Sequence, residues 1–177
     1  MIPDPSLVVL IGSAGAGKST LAARLFDADE VLSSDALREV VSGDAADQSA
    51  SAVAFRILHR TLERRLAAGQ LTVIDATNVQ RAHRRQLLER ARRAGISTVA
   101  VVLDIDPTLS QARNAGRSRV VDPAVVERQA GAVRSIVERG DLAGEGFASV
   151  AVLTDPDDLA ALTIERVRVR VPGRLPL

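Results

Sequence analysis

Nine consecutive residues decide most of what this chain can be. Gly12-Ser13-Ala14-Gly15-Ala16-Gly17-Lys18-Ser19-Thr20 fits G-x-x-x-x-G-K-[ST] at every specified position, and the apolar run Leu7–Ile11 leads straight into it. Glycines leave out the Cβ that would block the way, so successive backbone N–H groups converge on an anion; a helix starting at the end of the loop adds its partial positive charge. Gly12 to Thr20 are therefore expected to cradle the phosphates of ATP or another nucleoside triphosphate. Lys18 would reach the β- and γ-phosphates, and the Ser19 hydroxyl would coordinate Mg²⁺. Of the 23 lysines and arginines, Lys18 alone is lysine. A bias toward arginine accounts for the other 22, but a compact ammonium is what fits between phosphates.

Around this loop, short apolar runs alternate with helical patterns. Ser6–Ile11, Val31–Leu32, Leu71–Ile74, Thr98–Leu103 and Val150–Leu153 read as buried strands. Helices are expected from about Lys18 to Phe26, from near Ala36 with Ser34 or Asp35 as cap, and from about Ser49 to Ala68. A basic one, capped by Thr77 or Asn78, should end at Gly95. Asp106-Pro107 and Asp122-Pro123 each pair an N-cap with proline at the first helical position. The alternating tail, residues 164–171, reads as a half-exposed edge strand, and nothing is committed after Pro172-Gly173. Strands of this length between helices predict an α/β fold, a single domain over 1–177 with a parallel sheet covered on both faces. Its ligands should bind at the carboxyl ends of the strands.

Three further motifs fall at those ends. In Ser33-Ser34-Asp35-Ala36-Leu37-Arg38 a carboxylate is placed to take a proton from an attacking hydroxyl, and Arg38, one turn on, can face the same substrate; equally, Asp35 is a cap and Arg38 a solvated helix residue. Leu71–Asn78 is an apolar strand ending in Asp75. That carboxylate either supports Mg²⁺ or is a turn residue beside the cap Asn78. Arg113 and Arg117 share a helical face near Gly116, with Arg119 beyond. They form either a hinged lid over the nucleotide at about 107–139 or a solvated basic face. The arginines at 81, 84, 85, 90, 92 and 93 read as the polar face of an amphipathic helix rather than a phosphate-tracking patch.

Composition narrows the acceptor. Net charge is +1, so the molecule is no general sponge for nucleic acid. Phe26, Phe55 and Phe147 are the only aromatic residues of the Phe, Trp and Tyr class, which excludes a stacking platform of several rings. With no cysteine, disulfides and thiolate metal sites are excluded. His59 and His83 read as solvated helical residues. The first residues lack a basic n-region and carry only five apolar residues in a row, which predicts a buried strand rather than an export signal or membrane span, and cytoplasmic residence.

Taken together, L-V-V-L-I-G-S-A-G-A-G-K-S-T, S-S-D-A-L-R, L-T-V-I-D-A-T-N-V-Q-R and the R-N-x-x-R pattern at Arg113–Arg117 resemble the bacterial polynucleotide 5′-kinase module of RNA end-healing proteins, from about Ser6 to Leu153. The resemblance implies a P-loop kinase fold with a helical arginine lid, acting with ATP and Mg²⁺ on the 5′-hydroxyl of RNA or DNA. It implies Lys18 and Ser19 as phosphate and metal residues, Asp35 as general base, Arg38 on the acceptor phosphate, and Arg113 and Arg117 as lid arginines, with Arg119 a weaker correspondence because the spacing departs after Arg117. It also implies phosphatase and ligase-like modules as partners, on the same or separate chains. Two rivals share the scaffold: a kinase for a sugar, nucleoside or antibiotic hydroxyl, and a non-catalytic ATP-binding switch.

Overall fold

The computed structural model describes residues 1–43, 51–116 and 120–171. In chain order the elements are β1 (Ile2–Asp4), β2 (Ser6–Gly12), α1 (Lys18–Leu25), a 3₁₀ turn (Ala28–Glu30), β3 (Val31–Ser33), α2 (Ser34–Ser42), α3 (Ser51–Ala68), β4 (Thr72–Asp75), α4 (Arg81–Arg93) and β5 (Ser97–Leu103). They continue as α5 (Pro107–Ala115), α6 (Pro123–Arg139), α7 (Asp141–Glu145), β6 (Ser149–Leu153), α8 (Pro156–Ala161) and β7 (Arg166–Arg168).

Five strands form one parallel sheet in the order β3-β4-β2-β5-β6. Side chains alternate faces along a strand, so β2 feeds two cores at once. Leu7, Val9 and Ile11 meet Leu58, Leu62 and Leu66 of α3, Leu87 and Ala91 of α4, and Val133 and Ile136 of α6. Val8 and Leu10 meet Leu21 and Ala22 of α1, Phe26, and Leu159 of α8. Every residue of β2 is buried, which is why the run is apolar without alternation. Each such Leu or Val contributes about 1.5–3 kcal/mol by leaving water.

After β2 the chain moves to one side of the sheet for β3 and β4, then to the other for β5 and β6. The carboxyl end of β2 therefore lies where the winding direction changes, the position at which open α/β sheets leave a crevice.

Several local expectations change. Ser33, not Ser34 or Asp35, caps α2: its Oγ accepts from the Ala36 N–H, and Asp35 lies in the first turn. Helix α4 starts later than a Thr77 or Asn78 cap implies, behind Gln80 with no side-chain cap. Asn78 instead adopts φ 49° and donates from Nδ2 to the Leu10 carbonyl at 2.7 Å, tying the loop after β4 to β2. The tail strand does form, but over Arg166–Arg168, and it pairs in parallel with β1 in a separate two-stranded sheet instead of edging the main one. Both Asp-Pro helix starts are as expected: Asp106 and Asp122 accept from the first backbone N–H groups of α5 and α6. Residues 172–177 lie outside the described residues. Among the described residues no helix is long and apolar enough to cross a membrane.

Candidate active site

The loop between β2 and α1 is held from three directions. Gly12 donates its N–H to the Thr77 carbonyl at 3.1 Å, fixing the loop's start to the end of β4. Gly15 sits at φ 81°, and a Cβ there would lie 2.0 Å from the carbonyl oxygen of Ser110 on α5. Only glycine permits that approach. From α6, Gln129 accepts the Ala14 N–H on Oε1 at 2.8 Å. Gly17, at φ 102°, turns the chain into α1. Lys18, the first residue of that helix, is buried and folds back so that Nζ donates to the carbonyls of Gly12 (3.1 Å) and Ser13 (2.7 Å). These contacts hold the ammonium against the carbonyl oxygens at the start of the loop.

Beside it, Ser19 donates its Oγ hydrogen to Oδ2 of Asp75 at 2.8 Å, joining the loop to the end of β4. Asp75 is buried. A hydroxyl and a carboxylate together at the end of a phosphate loop are hard oxygen ligands, the donor set that suits Mg²⁺ held jointly with phosphates. The residues present fit that ion.

Two cavities share Lys18 and Ser19 as walls. The first, about 560 Å³, runs past Gly17 and Thr20 to Arg24 on α1, Arg113 on α5, and Pro156, Leu159 and Ala160 on α8. Arg24 donates to the carbonyls of Leu159 and Leu162, so its guanidinium serves to seat α8 against α1. The exposed Arg113 is the other guanidinium lining this cavity. The second, about 780 Å³, is bounded by Asp35 and Arg38 of α2, Asp75 and Asn78, Phe55 of α3, His83 of α4, and Arg128 and Gln129 of α6. Arg38 is buried and ion-paired through Nη2 to Asp35 Oδ1, while the Asp35 side chain keeps 40% of its exposure. On the cavity wall Phe55 meets the His83 ring at 5.9 Å and the His59 ring at 6.4 Å. Burial, and next the charge of Arg90, hold the His59 imidazole below its usual pKa.

Thus Lys18, Ser19, Asp35, Arg38 and Asp75 come together around one cavity, whereas Arg113 belongs to the other. Arg117 and Arg119 lie outside the described residues. The described residues of the stretch expected as a lid form α5 and α6, and α6 is anchored by Val133 and Ile136 in the core. Asn114, buried in the last turn of α5, exchanges two hydrogen bonds with Val121: Nδ2 to its carbonyl at 2.7 Å, and its N–H to Oδ1 at 3.0 Å. This clasp brings the two flanks of the 117–119 stretch together.

Sequence reasoning missed Gln129, Arg128 and the α8 wall. A signal for Gln129 was present. It falls between Val126 and Ala130, on the stripe that α6 buries, where a polar side chain needs a partner. The α8 wall gave none, because a six-residue helix is too short to show a period.

The model of the AAA domain family matches residues 7–139. No curated protein sequence matches the chain. Among solved structures, a candidate kinase from Chloroflexus aurantiacus j-10-fl is 19% identical, with 87% of each chain covered and a TM-score of 0.61. A gluconokinase from Sinorhizobium meliloti 1021 is 18% identical, covering 90% of this chain and 87% of that one, TM-score 0.55. A chain of the Pnkp1/Rnl/Hen1 RNA repair complex is 19% identical, covering 78% of this chain, TM-score 0.62; this chain spans 47% of that longer one. These likenesses establish the fold: an α/β sheet of five parallel strands flanked by helices, matching P-loop kinase structures.

Proposed function

We propose, from the premise that this chain belongs to the AAA domain family, that it is an ATP-dependent kinase for the 5′-hydroxyl end of a polynucleotide. One observation carries the reading: Asp35 and Arg38 face the same cavity as Lys18 and Ser19, so a carboxylate and a guanidinium stand beside the phosphate loop. The likeness to a chain of an RNA repair complex supports the choice of acceptor.

In this reading the triphosphate lies in the Gly12–Thr20 loop with Lys18 between its phosphates. The nucleoside extends into the cavity walled by Arg113 and Leu159. Ser19 and Asp75 would hold Mg²⁺, which supplies charge neutralisation on the phosphate oxygens when bound. The acceptor enters the larger cavity. Asp35 takes the proton of its 5′-hydroxyl while that oxygen forms a bond to the γ-phosphorus. The bond from the γ-phosphorus to the β,γ-bridging oxygen breaks, and its electron pair leaves on ADP. Arg38 grips the acceptor's adjoining phosphate, releasing the Asp35 carboxylate from their ion pair. Arg113 and, as proposed lid arginines, Arg117 and Arg119 close on the phosphates as charge spreads there.

The experiment is end-labelling of 5′-hydroxyl RNA and DNA oligomers with labelled ATP and Mg²⁺. Asp35→Asn is expected to lose about 100-fold or more in transfer while ATP binding stays near wild type. An Asp35→Asn variant that labels at the wild-type rate refutes the base assignment. A small-molecule hydroxyl is the second reading, favoured by the likeness to a gluconokinase over nearly the whole of both chains. Arg38→Ala separates the two, since an oligonucleotide brings a phosphate for that guanidinium and a neutral sugar does not. A raised KM for oligomers supports the polynucleotide. A sugar or nucleoside phosphorylated by wild type and Arg38→Ala alike supports the alternative.

A further inference from the structure

The contact between Gln129 and the phosphate loop has a use beyond holding α6. A backbone N–H can only donate, so the carboxamide atom 2.8 Å from the Ala14 nitrogen is the oxygen. That assignment leaves the NH₂ end, with its two hydrogens, on the other side of the group. Among the described residues this NH₂ has no acceptor. Gln129 also lines the larger cavity beside Lys18, Ser19 and Asp35. Its helix cannot easily shift, because Val126, Ala130 and Val133 on the same stripe are buried.

Resting on the kinase reading above, we infer that Gln129 donates a hydrogen bond to the phosphoryl group in transfer, its rotamer locked by the phosphate loop. The oxygen is bound to Ala14, so the amide plane is set before substrate arrives. The NH₂ then meets the oxygens of the γ-phosphoryl where loop and acceptor cavity join. Charge on these oxygens is redistributed as the bridging bond lengthens, and a fixed donor costs no reorganisation at that moment. A neutral carboxamide adds this donation beside Lys18 without another full charge. Gln129 exchanges no atom: the proton goes to Asp35 and the electron pair to ADP, as above.

Two substitutions separate donation from mere loop pinning. Gln129→Glu keeps an oxygen for the Ala14 N–H and nearly the same volume but exchanges both donors for a negative charge. Gln129→Met loses oxygen and donors together without adding charge, so donation requires both variants to lose transfer. Each is compared with wild type for thermal melting, for binding of ADP and of a non-hydrolysable ATP analogue with Mg²⁺, and for single-turnover transfer to a 5′-hydroxyl oligomer. Gln129→Glu is expected to melt as wild type and to bind ADP within about twofold. Its affinity for the analogue should fall about tenfold or more, and its transfer about 100-fold, the usual loss of one preorganised donor. The idea is overturned if Gln129→Glu transfers within about threefold of wild type while Gln129→Met fails, for then only the latch matters. It is equally overturned if Gln129→Met binds the analogue more tightly and transfers undiminished, for then the glutamine competes with phosphate. Should wild type label no oligomer, the polynucleotide reading fails alone. The ratio of analogue to ADP affinity still tests Gln129, since it needs no acceptor.

Discussion

A single hydrogen atom at Gly15 decides whether the phosphate loop can close against α5. The residue is left-handed, and a methyl there would stand 2.0 Å from the Ser110 carbonyl oxygen and 2.9 Å from its carbon. Both are backbone atoms inside a helix, so neither can swing aside as the end of a side chain would. Gly15→Ala is therefore expected to cost at least about 2 kcal/mol, a fall of roughly 4–8 °C in Tm for a domain of this size, and to weaken nucleotide binding further as the loop shifts. Gly144→Ala is the control, because it has open space around it and an ordinary φ. Its melting temperature should hold or rise slightly, since alanine suits a helix better. Differential scanning calorimetry of the pair checks this. If both variants melt alike, the contact with Ser110 is not limiting. The glycine itself was legible in the motif, but the reason for it was not. Its clash partner lies 95 positions away, on a helix that no local pattern assigns to the loop.

At the scale of elements, the loop after β4 is fixed by an ion pair that the sequence conceals. Arg84 of α4 is 2% exposed. Its Nε and Nη2 donate to Glu145 of α7 at 2.8 and 2.6 Å, and its Nη1 donates to the carbonyls of Asn78 and Val79, both at 2.9 Å. One guanidinium thus joins two helices to the segment that follows Asp75. Arg84→Met is expected to destabilise by about 3 kcal/mol, because the buried Glu145 keeps only the exposed Arg81, at 3.7 Å, as a partner. Replacing both partners, as Arg84→Met with Glu145→Met, should recover much of that loss. Urea unfolding of the two singles and the double measures it, and a double as unstable as the sum of its singles would contradict the argument. Six arginines in thirteen residues made α4 read as a solvated polar face, which holds for the exposed Arg81, Arg85, Arg92 and Arg93. Arg84 was hidden because its partner sits in a five-residue helix with no periodicity. The same limit explains β1 and β7: three residues each, from opposite ends of the chain, they pair through contacts that no window of sequence contains. Where an element is long and buried on both faces, as β2 and β5 are, its composition alone marked it.

For the whole molecule, the decisive quantity is how much of its positive charge can reach a polynucleotide. A net charge of +1 leaves little long-range attraction, and the richest basic element is largely spoken for. On α4, Arg84 is bound to Glu145, Arg90 to Glu63, and Arg92 and Arg93 both to Glu89. The hydrogen bonds from Arg92 and Arg93 pull the Glu89 carboxyl down to about 2, so this pairing persists from neutral pH through the ordinary acid range and is lost only as pH falls through that value. Arg38 and Arg128 line the acceptor cavity, while Arg117 and Arg119 are proposed for the nucleotide's phosphates. Two phosphate contacts give a slope of log affinity against log salt of about −1.4 for a single strand. The dissociation constant of a 5′-hydroxyl oligomer should then rise roughly 7-fold between about 50 and 200 mM salt, and should hardly depend on length beyond the first few nucleotides. Fluorescence anisotropy across a salt series, with oligomers of about 4 and 20 nucleotides, tests both. A slope steeper than about −5, or affinity that keeps growing with length, would mean that a basic surface beyond the cavity tracks the strand. The acceptor would then be chosen by an extended face instead of by one buried guanidinium beside the phosphate loop.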